Sequence, residues 1–269
     1  MEQLKTHKSQ GENLKIKVGD FYIGGKEKVI ISGPCAVESY EQMDKIASKL
    51  KNMGVHMLRG GAFKPRTSPY DFQGLEEDGI KILYEIGQKY NLPVVTEILD
   101  SRDLEKYLDY IDIIQIGSRN MYNYALLKEV GKCNKPIMLK RGISATIKEW
   151  LFASEYILKE GNKNVILCER GIRTFEQVTR NTLDLNAIAY IKNNYRLPII
   201  IDPSHGTGLR EIVKPMALAG IMAGADGIIV ESHFEPEKSI SDARQTISLD
   251  MIDSIVKKIK HIEESGILY

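Results

Sequence analysis

The chain has 269 residues, 43% hydrophobic and 27% charged, which suits one large domain or two small ones with a full buried core. Its 37 Lys and Arg against 36 Asp and Glu leave a formal charge of +1, which argues against a nucleic-acid-binding protein but not against a local basic pocket. No apolar run approaches the ~18 residues of a membrane span, residues 1–15 lack the apolar core of a secretory signal, and three scattered cysteines make no disulfide framework; a cytoplasmic location is expected. In chain order, residues 14–25 (LKIKVGDFYIGG) alternate and turn at Gly19-Asp20, which predicts a small hairpin at the N-terminal end of whatever follows. Then short β-branched runs alternate with longer amphipathic ones. The predicted strands are 29–32, 56–59, 93–97, 112–116, 136–139, 164–167, 198–201 and 226–230. The predicted helices are 40–53, 79–90, 102–108, 122–130, 146–159, 179–193, 213–223 and 243–263. Strand starts lie about 28 residues apart, room for a strand, a crossover helix and two loops. Pro93, Pro136 and Pro198 stand at strand starts, and Gly54, Asn91 and Gly161 at helix ends.

Eight strands each followed by a helix is the count of a closed barrel, and no early Gly-rich nucleotide loop speaks for an open doubly wound sheet. The expected architecture is an α/β fold: a single (β/α)8 TIM barrel over 29–269, preceded by an extension and hairpin over 1–28. In such a barrel the active site lies at the C-terminal mouth, on residues that follow the strands. Those residues here are Cys35; Arg59, Lys64, Arg66 and Thr67; Glu97; Arg119; Lys140 and Arg141; Arg170; His205; and Glu231, His233 and Asp242. Taken singly, a strand-end Lys or Arg is ordinarily a solvated or salt-bridged group. Together on one rim, Arg59, Lys64, Arg66, Arg119, Lys140, Arg141 and Arg170 suit phosphate and carboxylate, and more than one of them. Cys35, His205, Glu231 and Asp242, with His233 as an extra, offer one thiolate, imidazole and two carboxylates. That set can hold a divalent metal, and the thiolate favours Mn, Fe, Co or Zn over Mg or Ca. The bland alternatives are an inert buried thiol and hydrogen-bonded structural histidines. Trp150, Phe152 and Tyr156 read as helix packing, Cys133 as a turn residue, and Cys168 as a core thiol.

Seven motifs in order carry a resemblance: GPCAVES (33–39), LRGGAFKPRTSPYDFQG (58–74), IGSRNMYN (116–123), LKRGISAT (139–146), CERGIRTFE (168–176), DPSHGTG (202–208) and VESHFEPEKSISDARQ (230–245). Over roughly residues 28–262 the chain resembles the 3-deoxy-D-arabino-heptulosonate 7-phosphate (DAHP) synthases of the type Iβ branch. The resemblance implies a transferase that condenses phosphoenolpyruvate with D-erythrose 4-phosphate, giving DAHP and phosphate at the first step of the shikimate pathway. It implies Cys35, His205, Glu231 and Asp242 as metal ligands, and Arg59, Lys64, Arg119, Lys140, Arg170 and His205 around phosphoenolpyruvate. Arg66 and Thr67 would grip the erythrose 4-phosphate phosphate. Lys64, His205 and Cys35 are the catalytic candidates, with Lys64 donating a proton or acting as a charge, and Glu97 or Asp242 handling the attacking water. A divalent metal, a homo-oligomer, tetrameric by family habit, and no nucleic-acid or membrane partner complete the expectation. The short stretch before the first barrel strand leaves no room for an appended effector domain, so no inhibition by phenylalanine, tyrosine or prephenate is expected. Two rivals remain. The sister synthase takes arabinose 5-phosphate, but typically reads N-R-S-S after the lysine where this chain has Pro65-Arg66-Thr67-Ser68. A non-catalytic metal or sugar-phosphate sensor would have lost a ligand or a phosphate arginine, and none is lost.

Overall fold

The structure is a computed structural model that describes residues 4–65, 68 and 70–268. Eight parallel strands close on themselves: β3 (Val29–Gly33), β4 (Met57–Arg59), β5 (Val94–Glu97), β6 (Ile113–Ile116), β7 (Ile137–Lys140), β8 (Val165–Glu169), β9 (Ile199–Ile201) and β10 (Gly227–His233). Each pairs with the next, and β10 pairs with both β9 and β3, which closes the barrel. A further short strand, β11 (Ile247–Ser248), pairs in parallel with the C-terminal end of β10. The strands are buried almost throughout, as the continuous apolar runs foretold.

Between the strands run α1 (Tyr40–Met53), α2 (Glu76–Tyr90), α3 (Leu104–Tyr107), α4 (Tyr124–Gly131), α5 (Ile147–Lys159), α6 (Leu185–Asn194), α7 (Pro203–Thr207), α8 (Arg210–Met222) and α9 (Leu249–Glu264). Side-chain caps fix several starts. Ser39 accepts from Gln42 N–H, and Thr146 and Glu149 form a capping box on α5. Two predicted helices begin later than the periodicity implied. Residues 179–184 are not helical, because Thr182 pairs with Ile172 across a loop and Asp184 caps α6 by accepting from Ala187 N–H. Residues 243–248 form a turn and β11, and Ser248 caps α9. The helix expected over 102–108 is only one α turn flanked by 3-10 turns.

The core has two layers. One lies between strands and helices. The other fills the barrel: Val29, Ile31, Met57, Val95, Ile113, Met138, Ile166, Cys168, Ile200 and Ile229 pack with Ile16, Val18 and Ile23 of the hairpin. That hairpin, β1 (Ile16–Val18) with β2 (Phe21–Ile23), turns at Gly19-Asp20 and closes the barrel's N-terminal end. Cys168 is thus a core thiol, pushed up by burial. Trp150 is buried with its N–H donated to Leu139 O, whereas Phe152 is exposed on α5 and Tyr156, also exposed, stacks on Tyr124 of α4. Among the described residues no helix is long and apolar enough to cross a membrane.

Candidate active site

The strand ends deliver their polar residues to one mouth because the backbone there approaches closely. At Gly33 (φ 153°) a Cβ would lie 2.0 Å from Arg59 O, so only glycine lets β3 and β4 release their loops side by side. At Gly61 a Cβ would meet Cys35 O and the Lys64 side chain, so a glycine here lets Lys64 fold back over Cys35. A Cβ on Gly117 would lie 2.0 Å from Glu97 Oε1. The mouth holds a cavity of about 320 Å³ lined by Arg59, Lys64, Glu97, Gln115, Arg119, Lys140, Arg170, Arg173, Arg180, His205 and Asp242, among others. Seven cations therefore face three carboxylates, Asp71, Glu97 and Asp242. Such a cavity suits a polyanion.

Beside it, donors from the ends of three strands, β3, β9 and β10, converge. Cys35 Sγ and carboxylate oxygens of Glu231 and Asp242 lie within 4.8 Å of one another. Cys35 Sγ is 3.5 Å from Asp242 Oδ2, and His205 Nε2 is 3.4 Å from Glu231 Oε1 and 3.9 Å from Asp242 Oδ2. Donors around one ion at roughly 2.0–2.3 Å are about this far apart, so Cys35, Glu231 and Asp242 suit a first-row divalent metal, with His205 Nε2 near both carboxylates as a further donor. Cys35 and Glu231 are covered, whereas His205 and Asp242 reach the cavity.

The surrounding charges have identifiable effects. Burial, then the neighbouring Glu231 carboxylate, pushes the Cys35 thiol up to about 11, against the pull of Lys64. Lys64 Nζ sits 3.0 Å from Cys35 Sγ and 3.1 Å from Cys35 O. Burial opposes ionisation of Glu231, but His205, Arg59 and Lys64 outweigh it and hold the carboxyl at about 2. Arg59 Nη1 donates to Glu231 Oε1 and to Pro34 O, each at 2.9 Å. Arg59 Nε is buried with no partner among the described residues. Arg170 is buried too, and desolvation lowers its pKa.

Asp202 is the centre of a second cluster. Its Oδ2 accepts from Lys140 Nζ at 2.6 Å and pairs with His205 Nδ1 at 2.8 Å, while Oδ1 accepts from His205 N–H. Burial raises its pKa, but His205 and Lys140 bring it well below the usual carboxylate range. When the ring is neutral, a carboxylate on Nδ1 leaves Nε2 as the lone-pair nitrogen, 3.4 Å from Glu231 Oε1 and 3.9 Å from Asp242 Oδ2.

The structure thus brings together Cys35, Arg59, Lys64, Arg119, Lys140, Arg170, His205, Glu231 and Asp242. Arg66 and Thr67 lie outside the described residues. Arg141 is a correction: it does not line the cavity but is buried, with Nη1 bonded to Glu169 at 3.0 Å and Asp184 at 2.9 Å. Its guanidinium neutralises carboxylates of its own fold. His233 does not join the donor set, because its Nδ1 accepts from Glu235 N–H and its ring stacks on Phe234. Sequence reasoning passed over Asp202, Arg173, Arg180, Gln115 and Gln245. Only Asp202 carried a local signal, the Asp-x-x-His spacing that sets a carboxylate under an imidazole.

A family model described as the DAHP synthetase I family matches residues 5–265. The chain belongs to that family. Within reach of this DAHP synthetase I chain is the phospho-2-dehydro-3-deoxyheptonate aldolase of Thermotoga maritima, 48% identical over 263 residues, covering 98% of this chain and 78% of the relative. A crystal structure of the Thermotoga maritima phospho-2-dehydro-3-deoxyheptonate aldolase (DAHP synthase) superposes with a TM-score of 0.96 at 47% identity, covering 99% of this chain and 78% of that one. A truncated form of 3-deoxy-D-arabino-heptulosonate 7-phosphate synthase from the same organism gives 0.90 at 44% identity, covering 97% of each. The 2-dehydro-3-deoxyphosphooctonate aldolase of Fusobacterium nucleatum is more distant, 30% identical over 90% of this chain and 93% of its own length. The barrel with its N-terminal hairpin is the fold of these DAHP synthase structures.

Proposed function

We propose that the chain is a 3-deoxy-7-phosphoheptulonate synthase that joins phosphoenolpyruvate to D-erythrose 4-phosphate, releasing phosphate. The observation that carries this reading is a cation-lined cavity opening onto a Cys, His, Glu and Asp donor set, in a chain 48% identical to a phospho-2-dehydro-3-deoxyheptonate aldolase. Cys35, His205, Glu231 and Asp242 would hold a divalent ion of the Mn, Fe, Co or Zn class, which supplies Lewis-acid polarisation of the aldehyde oxygen when bound. Arg59, Arg119, Lys140 and Arg170 bind and orient the carboxylate and phosphate of phosphoenolpyruvate. Its C3 then forms the new bond to the aldehyde carbon. Lys64 holds a proton at Nζ for the nascent alkoxide. Water adds to C2, and the resulting hemiketal phosphate expels phosphate. Asp242 is drawn toward Cys35 and Arg180, whereas the described contact of the Glu97 carboxylate is one hydrogen bond from Gln115 at 3.3 Å. Glu97 is the carboxylate we assign to take the proton of that water. Arg66 and Thr67 hold the far phosphate and so measure the length of the aldose.

The test is a steady-state assay with each aldose phosphate, before and after chelation. Turnover with erythrose 4-phosphate should vanish on chelation and return with Mn2+. Preference for arabinose 5-phosphate would overturn the reading. Arg119 is exposed, so Arg119→Ala leaves the fold intact and should raise KM for phosphoenolpyruvate. Arg66→Ala should raise KM for the aldose instead. Each loses a charged hydrogen bond, worth about 1.5–3 kcal/mol, or roughly ten- to a hundredfold in binding.

A further inference from the structure

Two side chains touch the donor set from outside it and also touch each other. Gln245 is buried, and its Nε2 donates to Glu231 Oε2 at 2.6 Å. Its Oε1 accepts from Arg180 Nη1 at 3.0 Å. The same Arg180 nitrogen lies 3.5 Å from Asp242 Oδ1. Arg180 itself is exposed, stands on the loop between β8 and α6, and lines the cavity. Glu231 therefore turns one oxygen to Arg59 and His205 and has the other tied to Gln245.

The direction of this chain is chemically forced. A guanidinium only donates, so it requires the carbonyl oxygen of Gln245 to face it. That leaves the NH2 group for Glu231, whereas the reversed amide would set an oxygen against a carboxylate. A cation on the cavity wall thereby decides which atom of Gln245 meets Glu231, and so where the second oxygen of Glu231 rests. Asp242 is restrained from the same corner. It sits at φ 54°, a left-handed conformation for a non-glycine residue, and its carbonyl accepts from Gln245 N–H at 3.1 Å and Thr246 N–H at 3.2 Å.

We infer that Arg180 and Gln245 are positioning residues, which hold the Glu231 and Asp242 carboxylates in the arrangement that accepts a divalent metal and tie that arrangement to the wall of the substrate cavity. This rests on the metal-dependent condensation proposed above. Partners that orient metal ligands typically contribute ten- to a hundredfold in metal affinity.

The experiment titrates Mn2+ into metal-stripped protein by calorimetry, with the melting temperature of each metal-free variant measured alongside. Gln245→Leu and Arg180→Gln should each weaken Mn2+ binding about ten- to a hundredfold. The double variant should lose little more than the worse single one, because the two side chains act through one path. Gln245→Glu, which sets a carboxylate on a carboxylate, should be at least as damaging as Gln245→Leu. Arg180 is exposed, so Arg180→Gln should keep the wild-type melting temperature and carries the test if Gln245→Leu unfolds. Wild-type affinity in Gln245→Leu and Arg180→Gln, with Cys35→Ala unable to bind, would overturn the inference and leave the metal reading standing. Fully additive losses would also overturn it, by making the two contacts independent. Undiminished Mn2+ binding by Cys35→Ala would instead overturn the metal reading and this inference with it.

Discussion

Cys35 carries a proton at neutral pH, because burial and Glu231 push its thiol up to about 11. A metal takes the thiolate, so binding must expel that proton at any pH below about 11. The sign follows: metal affinity rises with pH, by about tenfold per unit for one proton released. Calorimetry of Mn2+ binding in two buffers of different ionisation enthalpy reads the release directly. Cys35→Ser should abolish this proton and most of the affinity. On the metal reading the buried thiol also has a vulnerability, since oxidation to a sulfenic acid would remove a soft donor.

The strands and most helices were legible in the sequence because their periods are physical. A strand buried on both faces must be apolar throughout, and a helix must place an apolar stripe on it. The two late helix starts were hidden because residues 179–184 and 243–248 keep a helical pattern while Thr182, Asp184 and Ser248 spend their polar groups on pairing and capping. Strand-end position likewise revealed most of the site but misassigned Arg141. Reading a residue at the end of a strand does not say whether its side chain turns to the cavity or behind it. Arg141 turns behind, joining the end of β8 to the start of α6 through Glu169 and Asp184. Glu169 is buried and its pKa raised by that burial, with Arg141 pulling against it. Arg141→Met strands this carboxyl, and should cost about 3–5 kcal/mol in urea unfolding. Pairing it with Glu169→Gln should recover much of the loss. Gln245 and Arg180 could not have been found by position, since their roles depend on which atom faces which.

At the scale of the whole molecule, the barrel joins the beginning of the chain to its end. Ser32 Oγ on β3 donates to Val230 O on β10, across 198 residues of sequence. Cys35 follows the first of these strands, Glu231 lies on the last, and Asp242 comes later still. A ribosome must therefore deliver the chain through Asp242 before these donors can meet. Until then β3 presents an unpaired edge and the hairpin lacks part of the barrel it plugs. On the metal reading, an ion bound there is a clasp across the seam, and parting the first and last strands would have to break it. Stripping the metal should then speed global unfolding, which proteolysis at a fixed denaturant concentration would time, while refolding should slow far less if the seam closes late. Equal unfolding rates with and without Mn2+ would place the first rupture elsewhere in the barrel. If the ion is such a clasp, metal supply would act as a proofreader of synthesis, since only chains that have completed their circuit can capture the ion and gain its protection.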